Sequence, residues 1–157
     1  MARWTQTWLS GAGLDEEQGK WPGEKLGLPE DGVGSVASGG QRLVAFLADL
    51  FAAAMITTLF IRPEFADLEV MSRFNWASVG VWVVLTVPSS AFLGITPGMG
   101  LLGIRVARLD GATMVGLPRA AVRCLLTALL IPPALRNFDG QGLHDRATGT
   151  VVVRMRA

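Results

Sequence analysis

Asp49 places a carboxylate inside an apolar stretch, six residues beyond its start at Leu43. A helix rises about 1.5 Å per residue, so the group would lie roughly 9 Å below that start. An ionised carboxylate there needs a partner, or must be protonated. Two roles fit this requirement: a cation or proton site acting as a conformational switch, or one half of an ion pair that fixes helix packing. The ion pair is the simpler of the two. Arg42 stands seven residues earlier at nearly the same helical azimuth, with Ala45, Phe46, Ala52 and Ala53 near the same stripe. Small side chains there would let another helix approach closely.

Arg119, Arg123 and Thr127 recur at a spacing of four and would line one helical face. That face is the expected partner for Asp49. An anionic lipid headgroup is the alternative partner, because basic pockets near a cytoplasmic interface attract phosphates, and Arg105 joins Arg119 and Arg123 as a headgroup candidate. Further along, His144 and Asp145 sit in a turn-rich stretch with Arg136, Asp139 and Arg146. A His beside an Asp could shuttle protons, but a hydrogen-bonded structural knot is the preferred reading. One histidine with two aspartates lacks metal-ligand spacing, so no metal is expected. The segment 96–103 is glycine-rich but lacks the GK[ST] ending of a phosphate loop. No GxSxG, HExxH or paired catalytic carboxylates occur, so catalytic residues and cofactors are not expected.

The elements that must position these groups are apolar. Half of the 157 residues are hydrophobic and 17% are charged, against roughly 25% in a soluble domain. The mean hydropathy is +0.41, which is the composition of a membrane protein. A net charge of +1 gives no field for nucleic acid. Lys20 and Lys25 are the only lysines, a bias that with abundant Ala and Gly fits a GC-rich bacterial genome. Cys124 is the single cysteine and reads as a packing residue.

Residues 1–41 are rich in Gly, Pro and acids and read as a flexible polar arm. No signal peptide is read at its start, since Met1 to Ser10 lack an apolar core. Trp4, Trp8 and Trp21 would either touch the bilayer surface or pack loosely on the arm. The membrane domain follows over 42–157. Its helices are expected over 43–61 and 76–95, each long enough to cross a hydrocarbon core of about 30 Å, with Pro88 kinking the second. A short third helix over 118–135 carries Arg123 and is broken by Pro132 and Pro133. It reads as a short span or as a re-entrant or interfacial helix, followed by a polar tail over 136–157.

Two short stretches flank that third helix, 103–110 and 149–155, and both have strand character. If they pair, both ends of the third helix lie on one side. The charge balance favours this arrangement. With a cytoplasmic N-terminus and a re-entrant third segment, the outer loop holds Arg62 and Arg73 with Glu64, Asp67 and Glu69, and the other twelve of the 14 Lys/Arg are cytoplasmic. The expected class is therefore an all-α membrane protein with two firm transmembrane helices, a third short or re-entrant helix and a small cytoplasmic β-pair.

The chain resembles the RDD family of small bacterial integral membrane proteins, named for one Arg and two Asp residues. The matching residues are Arg42 and Asp49 in QRLVAFLADLF and Asp145 in GLHDRATGTVVV. TPGMGLLGIRVARLDG is similar to the family's linker, and VRCLL to its Arg-bearing third segment. WPGEKLGLPEDGVGSVA is similar to the arm of actinobacterial members. The resemblance implies a multi-pass protein of the bacterial plasma membrane, with transport, including cation/proton exchange, proposed for some members. The expected function is that of a non-enzymatic accessory or scaffold subunit bound to a membrane protein partner or to further copies of itself. The alternative is cation or proton transport by a homo-oligomer through Asp49.

Overall fold

The computed structural model describes residues 19–129 and 141–156. Helix α1 spans Gly39–Thr58. It starts where Ser38 and Gln41 cap each other, Ser38 Oγ accepting from the Gln41 N–H at 3.2 Å and Gln41 Oε1 from the Ser38 N–H at 3.0 Å. This box starts the helix at Gly39 rather than at the first apolar residue, Leu43. Helix α2 spans Leu68–Leu93. Asp67 caps it, accepting from the Glu69 and Val70 N–H groups at 2.9 and 3.1 Å. The helix therefore begins well before Trp76, because a capped amphipathic turn needs no continuous apolar run. The helix continues through Pro88 and ends at Gly94, whose φ of 69° is the left-handed conformation of a C-terminal stop. Beside the proline, Ser89 Oγ donates to the Leu85 carbonyl at 2.5 Å.

Both helices are long and apolar enough to cross a membrane, and both turn few residues inward. The inward stripe of α1 is Ala45, Asp49, Ala53 and Thr57, spaced by four. Outward it shows Leu43, Leu47, Phe51 and Met55, all more than half exposed. Small and polar residues face the protein and large apolar ones face away, the reverse of a soluble helix.

After α2 the chain makes a short helix α3, Pro97–Leu102, and strand β1, Ile104–Arg108. Helix α4, Leu117–Ala128, follows, then a helical turn α5, Leu143–Thr148, and strand β2, Thr150–Arg154. The expected β-pair is present: β1 and β2 are antiparallel, with Ile104 opposite Arg154 and Arg108 opposite Thr150. This pairing ties the chain before α4 to the chain after it. The part of the third segment beyond Leu129 and the residues 136–140 lie outside the described residues, as do Trp4 and Trp8.

The arm differs from expectation over its described part. Residues 34–37 lie along the free edge of β2: the Gly34 and Ala37 N–H groups donate to the Arg154 and Val152 carbonyls at 2.9 Å each, and Ser35 O accepts from the Arg154 N–H at 2.9 Å. Ala37 is fully buried. Trp21 folds back on the arm, its Nε1 donating to the Leu28 carbonyl at 3.0 Å. The glycines that suggested flexibility instead make the turns, with Gly23, Gly27, Gly32 and Gly34 all at positive φ. With β2 covered on both edges, Val151, Val152 and Val153 are buried, and Val152 joins Ala37, Ala45, Ile104, Val106 and Val115 in the core.

Candidate functional site

Among the described residues Asp145 is the most enclosed charge, with no exposure. It lies in the first turn of α5, where its carboxylate reaches back to the Gly142 N–H at 3.2 Å. Two arginines from distant elements close on it. Arg42, at the start of α1, donates through Nη1 to Oδ2 at 2.9 Å. Arg123, on α4, donates through Nη1 to Oδ1 and also to Thr150 Oγ1 at 2.6 Å. Arg42 also reaches the Val152 carbonyl through Nη2 at 3.2 Å. One carboxylate thus fastens α1, α4, α5 and β2 together. Burial raises the Asp145 pKa, but Arg123, His144 and Arg42 together outweigh it and hold the carboxyl below its ordinary range. The knot at Asp145 is thus tied by Arg42 and Arg123 from other elements rather than from within its own stretch, where Arg146 is exposed and Arg136 and Asp139 lie outside the described residues.

His144 borders this knot, its Nε2 at 3.4 Å from Asp145 Oδ1. Burial pushes its pKa down to about 4; Asp145 works against that shift, and Arg123 and Arg42 add to it. The imidazole is consequently neutral at physiological pH.

Asp49 is not bound by arginine, which corrects the expected pairing. Its Oδ2 accepts from the Thr96 hydroxyl at 2.5 Å and its Oδ1 from the Gly98 N–H at 2.7 Å. Thr96 caps α3, accepting from the Met99 N–H at 3.2 Å while donating to Asp49. The first turn of α3 thus satisfies the carboxylate with neutral donors. A β-carbon at Gly98 would meet the Ala45 carbonyl oxygen at 2.1 Å, so only glycine lets α3 approach α1 this closely. The nearby arginines are already committed to Asp145, and the helix start leaves N–H groups that suit an anion.

Arg119 also leaves the expected cluster. It lies 42% exposed, 3.5 Å from Asp110, which also binds Arg108 through Nε at 2.8 Å. Asp110 is exposed, and the Arg108 hydrogen bond draws its pKa down to about 2. Arg119 shares the face of Arg123 but lies one turn earlier, at the entrance of α4, where Asp110 just beyond β1 is within reach. Arg105 is exposed on β1.

Of the six charged residues singled out in the sequence, Arg42, Arg123, His144 and Asp145 meet, Asp49 on α1 bonds instead to the start of α3, and Arg119 joins Asp110. A cavity of about 420 Å³ connects the knot to Asp49, with Arg42, Asp49, Arg123 and His144 all in its lining and Phe46 and Trp82 on its apolar wall. These two rings meet edge to face at 5.9 Å. Among the described residues no three His, Cys, Asp or Glu side chains converge on a metal position. Sequence reasoning missed Thr96, Gly98 and Thr150. The signal for the first two was Thr-Pro-Gly itself: a cap, a proline suited to a first turn, and a bare amide.

No family model matches the chain, and no curated protein or solved structure is similar to it.

Proposed function

We propose that this chain is a non-enzymatic, multi-pass protein of the bacterial plasma membrane, of RDD type, acting as an accessory or scaffold subunit of a membrane complex. The observation that carries this reading is the inverted surface of α1, whose large apolar residues face outward while Ala45, Asp49, Ala53 and Thr57 face inward, beside an α2 that is also long and apolar enough to cross a membrane. The interior acids are bonded within the chain, Asp145 to Arg42 and Arg123, and Asp49 to Thr96 and Gly98. Groups held in this way suit a rigid platform better than a reaction centre. The β1–β2 pairing favours a re-entrant third segment, since the chain enters and leaves it at one end of the molecule. A cytoplasmic N-terminus then follows from the distribution of arginines.

Mild detergent extraction of the full chain tests the role directly. A stoichiometric membrane-protein partner, or a defined homo-oligomer, is the expected result. A chain that always elutes as a lone monomer removes the accessory reading, and its release from membranes by alkaline carbonate removes the membrane reading.

The position of Asp49 on the cavity wall favours a second reading, cation or proton transport by a homo-oligomer. Liposomes containing the chain would then dissipate a pH gradient in a cation-dependent manner, and Asp49→Asn would stop this. Vesicles that hold the gradient as well as empty ones exclude it.

A further inference from the structure

Helices α1 and α4 each pack along α2, but α4 makes no comparable packing against α1. A cleft of about 420 Å³ is left between them, lined by residues of all three helices. That volume falls within the roughly 300–1,000 Å³ typical of small-molecule sites. Most of the wall is apolar, with Leu43, Phe46, Trp82, Met99 and Cys124 upon it. Leu43 is also 58% exposed, among the outward apolar residues of α1. The wall of the cleft therefore runs on into the surface proposed above to meet lipid.

Water fits this space poorly. A buried water needs about two to four polar partners, and the polar side chains on the wall are largely engaged. Thr86, Ser90 and Thr127 donate their hydroxyls to carbonyls of their own helices, at Trp82, Val87 and Arg123. The Asp49 oxygens rest on Thr96 and Gly98. Left empty, the apolar lining would lose its contacts on one side. An apolar chain restores them. One polar demand remains, at Arg123, which lines the cleft and is only 7% exposed. Its Nη1 makes both of its hydrogen bonds, to Asp145 and Thr150, and its Nε and Nη2 bond to no described residue. An unmatched buried donor is costly, and any acceptor oxygen, neutral or charged, relieves it. An ester carbonyl supplies that oxygen already joined to an apolar chain.

We infer that the cleft takes one acyl chain of a bilayer glycerolipid, entering sideways between α1 and α4. Its ester carbonyl accepts from Arg123, and its methylenes lie along Phe46, Trp82 and Cys124. The headgroup stays outside the cleft, so its charge plays no part in recognition. This rests on the membrane placement proposed above but not on the accessory role, and carbonate extraction tests that placement separately.

Cys124 is the single cysteine of the chain and lies half-buried on the cleft wall. Its alkylation by a small maleimide therefore reports occupancy in the full-length protein, with no mutation needed. The assay uses an uncharged sterol-based detergent, which brings no alkyl chain of its own. Dioleoyl phosphatidylcholine or phosphatidylglycerol, each at ~10 times its dissociation constant, is expected to slow the reaction ~tenfold. The dialkyl ether analogue of the phosphatidylcholine lacks the carbonyl and should protect several-fold less at the same concentration. Soluble glycerophosphocholine should give no protection. Thr127→Phe puts a ring into the cleft while leaving the bonds of Arg123 to Asp145 and Thr150 in place, and should abolish protection by both lipids. Protection by phosphatidylglycerol alone, or by neither phospholipid, would overturn the inference. Equal protection by the ether lipid or by glycerophosphocholine would do the same, as would full protection of the folded Thr127→Phe variant.

Discussion

The Gly98 amide donates to the Asp49 carboxylate at 2.7 Å from a position that has no room for a side chain. Gly98→Ala is therefore expected to force α3 away from Ala45 and to lengthen this bond. Overpacking of this kind costs about 1–3 kcal/mol. At Gly100, two positions on, a β-carbon would meet nothing within 4 Å, so Gly100→Ala should be neutral or stabilising by up to about 1 kcal/mol. Thermal unfolding of both variants in detergent gives the comparison, and equal losses would show that the close approach has no energetic weight.

Asp49→Asn can keep both bonds, its carbonyl accepting from Gly98 and its amide donating to Thr96 Oγ1. It should stay within about 1 kcal/mol of the parent protein. Asp49→Leu strands two donors and should cost about 2–6 kcal/mol, at about 1–3 kcal/mol for each. If the two variants unfold alike, the hydrogen bonds from α3 do not support α1. The tolerated Asn variant is also the proper control for transport, since its loss of activity would not be a loss of fold.

Asp145→Asn leaves Arg42 and Arg123 facing a neutral group in a buried site. Breaking one side of a buried ion pair costs about 3–5 kcal/mol, and two cations depend on this carboxylate. The variant should unfold at markedly lower denaturant and expose Cys124 to thiol reagents. Replacing Arg42, Arg123 and Asp145 together by apolar residues should recover much of the loss. No recovery would indicate that the knot contributes specific geometry as well as charge balance.

The His144 imidazole gives a pH dependence of definite sign. Its folded pKa of about 4 lies below the ordinary 6.5, so the unfolded chain binds the proton first as pH falls. Stability is then full above pH 6.5 and declines between 6.5 and about 4, by about 3 kcal/mol at 1.36 kcal/mol per pKa unit. The Asp145 contribution is lost only at lower pH, as its depressed carboxyl begins to protonate. Unfolding measured from pH 7.5 to 4 should show this slope, and His144→Gln should flatten it. A flat profile in the parent protein would mean that His144 is solvated.

The two long helices and the β-pair were legible because each has its own local signal: apolar length for Leu43 to Ile61 and Trp76 to Ile95, and β-branched alternation around Val106 and Val152. The polar starts of the helices were not, because the Ser38–Gln41 box and the Asp67 cap act through single hydrogen bonds rather than hydropathy. The site residues were recognisable by type, but their pairing was not. Arg42 and Asp49 share a helix and an azimuth, which suggested a link, yet Arg42 turns to an acid 103 positions away. Only the return of β2 to the start of α1 brings Asp145 within reach, and no local pattern encodes that return.

The placement of residues 34–37 against β2 has a consequence for how the protein matures. The hydrogen bonds of Gly34 and Ala37 end on Arg154 and Val152, which follow both long helices in the chain. Both long helices are synthesised well before the strand that closes over the start of the first one. The nascent chain consequently waits as an open hairpin with Arg42 hydrated, and this region locks only once β2 has been made. Stalled chains ending before Thr150 should be cut readily by protease around Ser35, whereas the finished protein should resist.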